Sequence, residues 1–166
     1  MATFTWYNGE VPNSLKVRQV YGLIFTRDGR MLLKVENKTK GKVYSLAGGT
    51  PESFDLDKEA TLRRELIEEV NVTIEKPITV GYQEVDEENG IPPYAQFRMT
   101  AIIDNIGPSL PDPDNGETYE RLLTTPSRAI ELIRWGEVGK LQIEEAFRLA
   151  KEKLSLNVTN DKEEYI

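Results

Sequence analysis

GGTPESFDLDKEATLRRELIEEVNV, residues Gly48–Val72, is the stretch whose reading decides the fold of this chain. Two glycines close an apolar run (KVYSLAGG, residues 42–49), an acidic loop follows from Thr50 to Asp55, and a helical pattern covers Asp57 to Val70. At about 100° of rotation per residue, Glu68 and Glu69 fall to either side of Glu65, so three carboxylates share one helical face. Leu66, Val70, Leu56, Ile67 and Ala60 spread over the opposite side, and Leu62 is an exception on the Glu69 edge. Like charges at i,i+4 destabilise an isolated helix by about 0.2–0.5 kcal/mol per pair. Glu68 and Glu69 also occupy the last turn, where the helix dipole favours positive charge. A divalent cation reverses both penalties. A Glu-rich face is also what a solvated helix surface looks like, and Glu144 and Glu145 further on are read that way. The glycine pair ahead of this helix allows close approach of backbone to a ligand. Strand, Gly-Gly, acidic loop and carboxylate helix together describe a metal–diphosphate cradle.

Composition narrows the chemistry. The 166 residues suit one domain with one core, so residues 1–166 are read as a single domain, and 39% hydrophobic content is enough to fill it. There is no histidine and no cysteine. Ser-His-Asp and Cys-His catalysis, zinc sites and disulfides are therefore excluded. Acid, base and metal chemistry falls to Asp, Glu, Lys, Tyr and Arg, and carboxylates suit hard cations such as magnesium, manganese or calcium. A formal charge of −7 argues against nucleic acid as a partner. A small anionic substrate stays open, because bound metal inverts the local field. No apolar run has membrane-spanning length, and MATFTWYNGEVPNS does not read as a signal peptide. The expectation is a cytoplasmic protein with no membrane partner.

Around the central stretch, Lys16–Thr26 reads as a strand, Asp28-Gly29 as a hairpin turn and Met31–Asn37 as the return strand. Lys38–Lys42 reads as a loop. Val72–Val85 reads as one strand, Asn89-Gly90 as a second turn signal and Tyr94–Ile106 as a long strand. Pro108–Glu117 is an acidic loop of turn residues. Tyr119–Thr124 is compatible with a strand, Ser127–Ile133 with a helix, and Leu141–Leu154 is the best amphipathic helix of the last third. The last dozen residues read as frayed. The expected fold class is mixed α/β (α+β).

The Gly48–Val72 stretch resembles the Nudix family, whose box reads G-x5-E-x7-R-E-U-x-E-E-x-G-U with U aliphatic. Arg64-Glu65-Leu66-Ile67-Glu68-Glu69 matches the R-E-U-x-E-E core in full. Gly49 matches the opening glycine, Val72 the closing aliphatic residue, and Glu52 a glutamate often seen in the family's G-G-x-x-E start. Three positions depart from it. Asp55 stands where the first glutamate belongs, eight residues rather than seven separate it from Arg64, and Asn71 replaces the final glycine. Asn tolerates the left-handed conformation that ends a helix.

The resemblance implies an α/β/α sandwich with a mixed sheet, the box forming strand, loop and helix. It implies a hydrolase of diphosphate bonds in a nucleoside diphosphate linked to another group, acting by water attack at phosphorus. Glu65, Glu68 and Glu69 would bind Mg2+ or Mn2+ with the carbonyl of Gly48 or Gly49. Arg64 would orient a glutamate, Glu68 or Glu69 would position water, and Gly49 and Glu52 would meet substrate. Glu117 and Glu120 are candidates for a further carboxylate from outside the box. Trp6, Tyr7, Tyr82 and Tyr94 are read chiefly as packing residues, with base stacking as the other use of such rings. A homodimer is compatible with the resemblance. Two rival readings stand beside it: a non-catalytic module of the same fold that binds a nucleotide and regulates, and an ordinary domain with an acidic surface. The isomerase branch of the fold is set aside because its chemistry resembles one that needs a cysteine.

Overall fold

In the computed structural model, which describes residues 1–166, ten strands and three helices follow in the order β1 (Thr3–Asn8), β2 (Lys16–Phe25), β3 (Met31–Lys38), β4 (Gly41–Ser45), β5 (Gly48–Gly49), α1 (Lys58–Val70), β6 (Val72–Ile74), β7 (Ile78–Asp86), β8 (Tyr94–Ile106), β9 (Glu120–Thr124), α2 (Pro126–Ile133), α3 (Gly136–Lys153) and β10 (Glu164–Tyr165). The main path across the sheet is β1-β7-β8-β2-β3-β9-β10, with β4 on β3, β5 on β2 and β6 on β8. Only β2 and β8 run parallel, so the sheet is mixed, as expected.

Alternation along the strands separates two cores. On β2, Val20 and Ile24 face the side covered by α1, where they join Leu62, Leu66, Val70, Phe97 and Met99. Leu23 and Phe25 face the other side, against Ala129 and Ile133 of α2 and Ile143, Ala146 and Leu149 of α3. The sandwich of helix, sheet and helices follows from period-two burial on strands that are apolar on both faces.

The sheet opens between β2 and β3. They meet only at Phe25↔Met31 beside the Asp28-Gly29 turn and then part. β5 occupies the free edge of β2, pairing Gly48 with Tyr21 and Gly49 with Val20, while β4 pairs with β3. A Cβ on Gly48 would lie 2.2 Å from the Val20 carbonyl oxygen, so only glycine lets the chain press against β2 here. The Gly-Gly pair therefore carries the chain from the opened sheet into the loop before α1.

Helix α1 starts at Asp57, whose Oδ1 accepts the Ala60 N–H at 2.8 Å. It ends at Asn71, which is left-handed at φ 50°, ψ 52° and donates its N–H to the Ile67 and Leu66 carbonyls. Arg121 Nη1 donates to the Val70 carbonyl at 2.9 Å, placing a cation at the helix C-terminus. The buried stripe differs from the expected one. Leu62, placed at the edge, is wholly buried, whereas Ile67 is 50% exposed and Leu56 94% exposed. Glu65 and Glu69 are buried alongside Leu62, Leu66 and Val70; Lys34 and the Gly48 N–H on the sheet receive the charge of Glu69, and Arg64 of the same helix that of Glu65.

Other expectations shift for local reasons. Thr3–Asn8 forms a strand paired with β7 and was not anticipated. Residues 38–42 make a tight turn in the β3–β4 hairpin, with Lys38 opposite Gly41, rather than a loop. Val72–Val85 is two strands. β6 pairs with the end of β8 and β7 with its beginning, and the break falls next to Pro77, which has no N–H to donate. α3 begins at Gly136, before Leu141, and residues 164–165 pair with β9 instead of fraying.

Asn71→Ala should lower stability in urea unfolding by about 1–2 kcal/mol, because alanine pays for the left-handed conformation. Asn71→Gly should cost less, since it loses only the Nδ2 hydrogen bond to the Pro108 carbonyl. Equal losses would mean that the side-chain bond, and not the backbone conformation, is what Asn71 supplies.

Candidate functional site

Arg64 organises the acidic end of α1. Its Nε and Nη2 donate to Asp55 Oδ1 and Oδ2 at 3.1 and 2.9 Å, a two-pronged pair, and Nη2 also donates to the Thr50 carbonyl at 3.0 Å. Its Nη1 donates to Glu65 Oε1 at 3.0 Å and Glu68 Oε2 at 3.2 Å. Asp55 further accepts from the Glu52 N–H and the Thr61 hydroxyl, at 2.9 and 2.8 Å. The acid–arginine pair forms although eight residues separate Asp55 from Arg64. Arg64 holds the Asp55 carboxyl well below the usual carboxylate range.

Glu69 is held from the opposite side. Its Oε1 accepts the Gly48 N–H and its Oε2 accepts Lys34 Nζ, both at 2.7 Å. Burial works against the charge on Lys34, but Glu69 outweighs it and raises the lysine pKa. Lys34 also lies 4.7 Å from the Tyr119 ring centroid. A Cβ on Gly49 would come within 2.5 Å of Glu65 Oε1, so a side chain there would push the Glu65 carboxylate from its place. The glycine pair thus holds one glutamate by its N–H and leaves space for another.

Burial, followed by the charge of Glu69, pushes Glu65 up to about 7 despite Arg64. Glu68 is raised too, by burial and by Asp114 and Asp112 against the pull of Arg64. Oxygens of Glu68, Asp112 and Asp114 lie within 4.8 Å of one another. The acidic loop therefore does approach the helix, but through Asp112 and Asp114. Glu117 is exposed and Glu120 is engaged by Lys42 and Asn37. Asp55, Glu65, Glu68, Glu69, Asp112 and Asp114 face only two cations, Arg64 and Lys34. Hard oxygen donors in excess of positive charge suit a divalent cation.

Of the remaining residues singled out from sequence, Glu52 is exposed and contributes its N–H to Asp55. Tyr7 stacks on Tyr82 at 5.2 Å, Trp6 bonds Asn8, and Tyr94 carries Arg18 and bonds Glu87. Tyr82 is buried and Trp6 packs against the core, whereas Tyr7 is 43% exposed. A cavity of about 610 Å³ instead runs from Lys34 and Tyr21 to Arg98 and Trp135. Sequence reading missed Lys34, although a lysine inside the apolar alternation MLLKVEN was the available signal. Arg98 carried the same kind of signal inside FRMTAII, but its meeting with Tyr21 depends on the long-range parallel pairing of β2 with β8, where the two stand opposite each other.

No protein-family model matches the chain, and no curated protein matches it by sequence. Solved structures do. A pyrophosphohydrolase from Bacillus subtilis is 18% identical with a TM-score of 0.67, and the match covers 92% of both chains. A NUDIX hydrolase from Nitrosomonas europaea is 15% identical with a TM-score of 0.58, over 82% of this chain and 91% of that one. A MutT protein (Aliivibrio salmonicida or Vibrio cholerae) is 16% identical with a TM-score of 0.58, over 80% of this chain and 98% of that one. The splayed mixed sheet, the helix on one face with two on the other, and these likenesses identify the fold of this chain as the Nudix hydrolase fold.

Proposed function

We propose that this chain hydrolyses a phosphoanhydride bond in a nucleoside diphosphate linked to another group, using Mg2+ or Mn2+, with residues 1–166 acting as one domain. The observation that carries the reading is the gathering of Glu65, Glu68 and Glu69 between Arg64 and Lys34 on a helix beside a glycine pair. An acidic surface with no function has no need of a buried lysine and a backbone N–H to hold one of its glutamates. Two proteins that share this fold, from Bacillus subtilis and Nitrosomonas europaea, are a pyrophosphohydrolase and a NUDIX hydrolase, which agrees with this reading.

Glu65, Glu68 and Glu69 would hold the cation, with Asp112 and Asp114 available on the acidic-loop side. A cation there supplies neutralisation of the diphosphate charge and lowers the pKa of water. Glu69 is engaged at both oxygens and serves to anchor. Glu68 is less constrained, bonded only through Arg64 at 3.2 Å, and is the better placed to orient the attacking water. Lys34 stands between the carboxylates and the cavity, where its ammonium can meet the phosphate nearest the nucleoside. No helix is long and apolar enough to cross a membrane.

Phosphate or monophosphate release should be metal-dependent across a panel of nucleoside triphosphates, ADP-ribose and dinucleoside polyphosphates. Glu68→Gln should lower kcat by about 100-fold or more, the scale of a positioned base, and Glu69→Gln should also lose activity. A folded wild type that turns over none of these compounds, yet gains thermal stability from one of them, would favour the regulatory binding module.

The metal-free protein should show the cost of the crowded glutamates. Glu65 binds its proton more tightly folded than unfolded, so the stability this contributes is full below about 4.5 and lost as pH rises through about 7. Glu65→Gln should therefore stabilise the metal-free protein at pH 8, on the order of 1–3 kcal/mol, with the gain shrinking towards pH 4.5. Added Mg2+ should raise the melting temperature of wild type at pH 8 and that of the variant much less. A variant less stable than wild type at pH 8 without metal would contradict the charge balance described above.

A further inference from the structure

The cavity beyond Lys34 contains a cation that the chemistry at the glutamates does not use. Arg98, on β8, is 1% exposed, and its hydrogen-bond partners are neutral, the Gln142 amide and the Gln96 carbonyl, with no carboxylate among them. Burial lowers its pKa to about 10. A buried guanidinium without a counter-charge is costly. Its Nε donates to Gln142 Oε1 at 2.8 Å and its Nη1 reaches the Gln96 carbonyl at a long 3.4 Å, while Nη2 has no acceptor in the protein.

A one-way relay fixes this arrangement. Gln142 Nε2 donates to the Val138 carbonyl at 3.1 Å and approaches Gln83 Oε1 at 3.5 Å. Gln83 donates to Gln96 at 2.9 Å, and Gln96 to Gln19 at 2.6 Å. Arginine can only donate, so the amide oxygen of Gln142 must face it and the order of donors along the row follows. The guanidinium carbon lies 4.8 Å from the Tyr21 ring centroid and 5.8 Å from that of Trp135. Arg98 is therefore oriented from three sides, with spare N–H donors at the wall of a cavity whose other lining includes Phe4, Trp135 and no acidic residue.

The aromatic walls around Arg98 (Tyr21 and Trp135, with Phe4 nearby) suit a planar ring; of the other two cations that line the cavity, Lys34 is bound to Glu69 and Arg134 is exposed, which leaves Arg98 as the buried donor facing those walls. A ring that satisfies Arg98 must offer two adjacent acceptors. Guanine does so at O6 and N7, whereas adenine pairs the N7 acceptor with an N6 donor and cytosine presents a donor. We propose that this cavity is the base subsite of the substrate and that Arg98 selects guanine, or another 6-oxopurine, through O6 and N7. The inference rests on the reading that a nucleoside diphosphate derivative is the substrate, and it names which one. Lys34, at the junction of cavity and carboxylates, then lies where the phosphates of a guanine nucleotide would pass.

The test is calorimetric binding of GMP, IMP, AMP and 7-deaza-GMP to the metal-free protein, where no turnover intervenes. GMP and IMP should bind alike, and each at least about ten-fold more tightly than AMP or 7-deaza-GMP, the scale of one two-pronged base contact. Arg98→Gln should bring GMP and AMP to within about three-fold of each other, because Gln matches the adenine edge. Trp135→Ala, at the half-exposed rim, should weaken both equally. The ligand series needs no variant, so the proposal stays testable if Arg98→Gln fails to fold. Equal affinity for GMP and AMP, weak binding of IMP, or displacement of GMP from the Arg98 site by inorganic phosphate at comparable concentration would overturn it. Guanine selectivity in a protein that hydrolyses nothing would sink the hydrolase reading alone.

Discussion

The two-pronged pair between Arg64 and Asp55 is the interaction on which the site depends. Its geometry is specific, since a planar guanidinium meets a carboxylate edge with both prongs and still has Nη1 for Glu65 and Glu68. A lysine could not link these groups, because a point charge has no fork. The side chain of Asp55 is 5% exposed and that of Arg64 17%, so the pair lies where water screens it little. Through it the loop before α1, the helix and two of the three glutamates share one anchor.

The third glutamate is anchored differently, and the difference matters chemically. Glu69 is shared between a strand lysine and a backbone N–H, both of which belong to the sheet. Glu68 is turned towards Asp112 and Asp114 on the acidic loop. One side of the carboxylate cluster is therefore rigid and pinned to the core, while the other is built on a loop. A site that must hold a cation in a fixed place and also admit substrate has use for both properties.

The box was legible because its information is local. A helix period, a cap, paired glycines and charges three and four residues apart can all be read within 25 positions of Gly48–Val72. The mixed class and the long strands of the sheet were legible for the same reason. What stayed hidden depends on distant pairing. The exposed β1 buries almost nothing, so its residues carry no inside–outside pattern. The two-residue strands β5 and β10 are too short to have a period. Leu62 and Ile67 exchanged places because counting apolar residues located the buried stripe without knowing that Lys34 would draw Glu69 inward. Asp112 and Asp114 look like any other turn residues until β9 brings their loop back beside α1.

The parallel pairing of β2 with β8 also governs how the molecule reaches this state. It joins residues 16–25 to residues 94–102, with the entire carboxylate stretch in the loop between them. Closing so long a loop costs entropy before the contacts it brings can repay it, which places the chain among slow folders. The paired hairpin β3–β4 and helix α1 can form early, but Gly48 meets Tyr21, and Glu69 meets Gly48, only once the sheet has opened and filled in its final order. A ligand that requires the completed cluster then has nothing to grip on the way in. It acts on the residence time of the native state, slowing escape from it without hastening arrival.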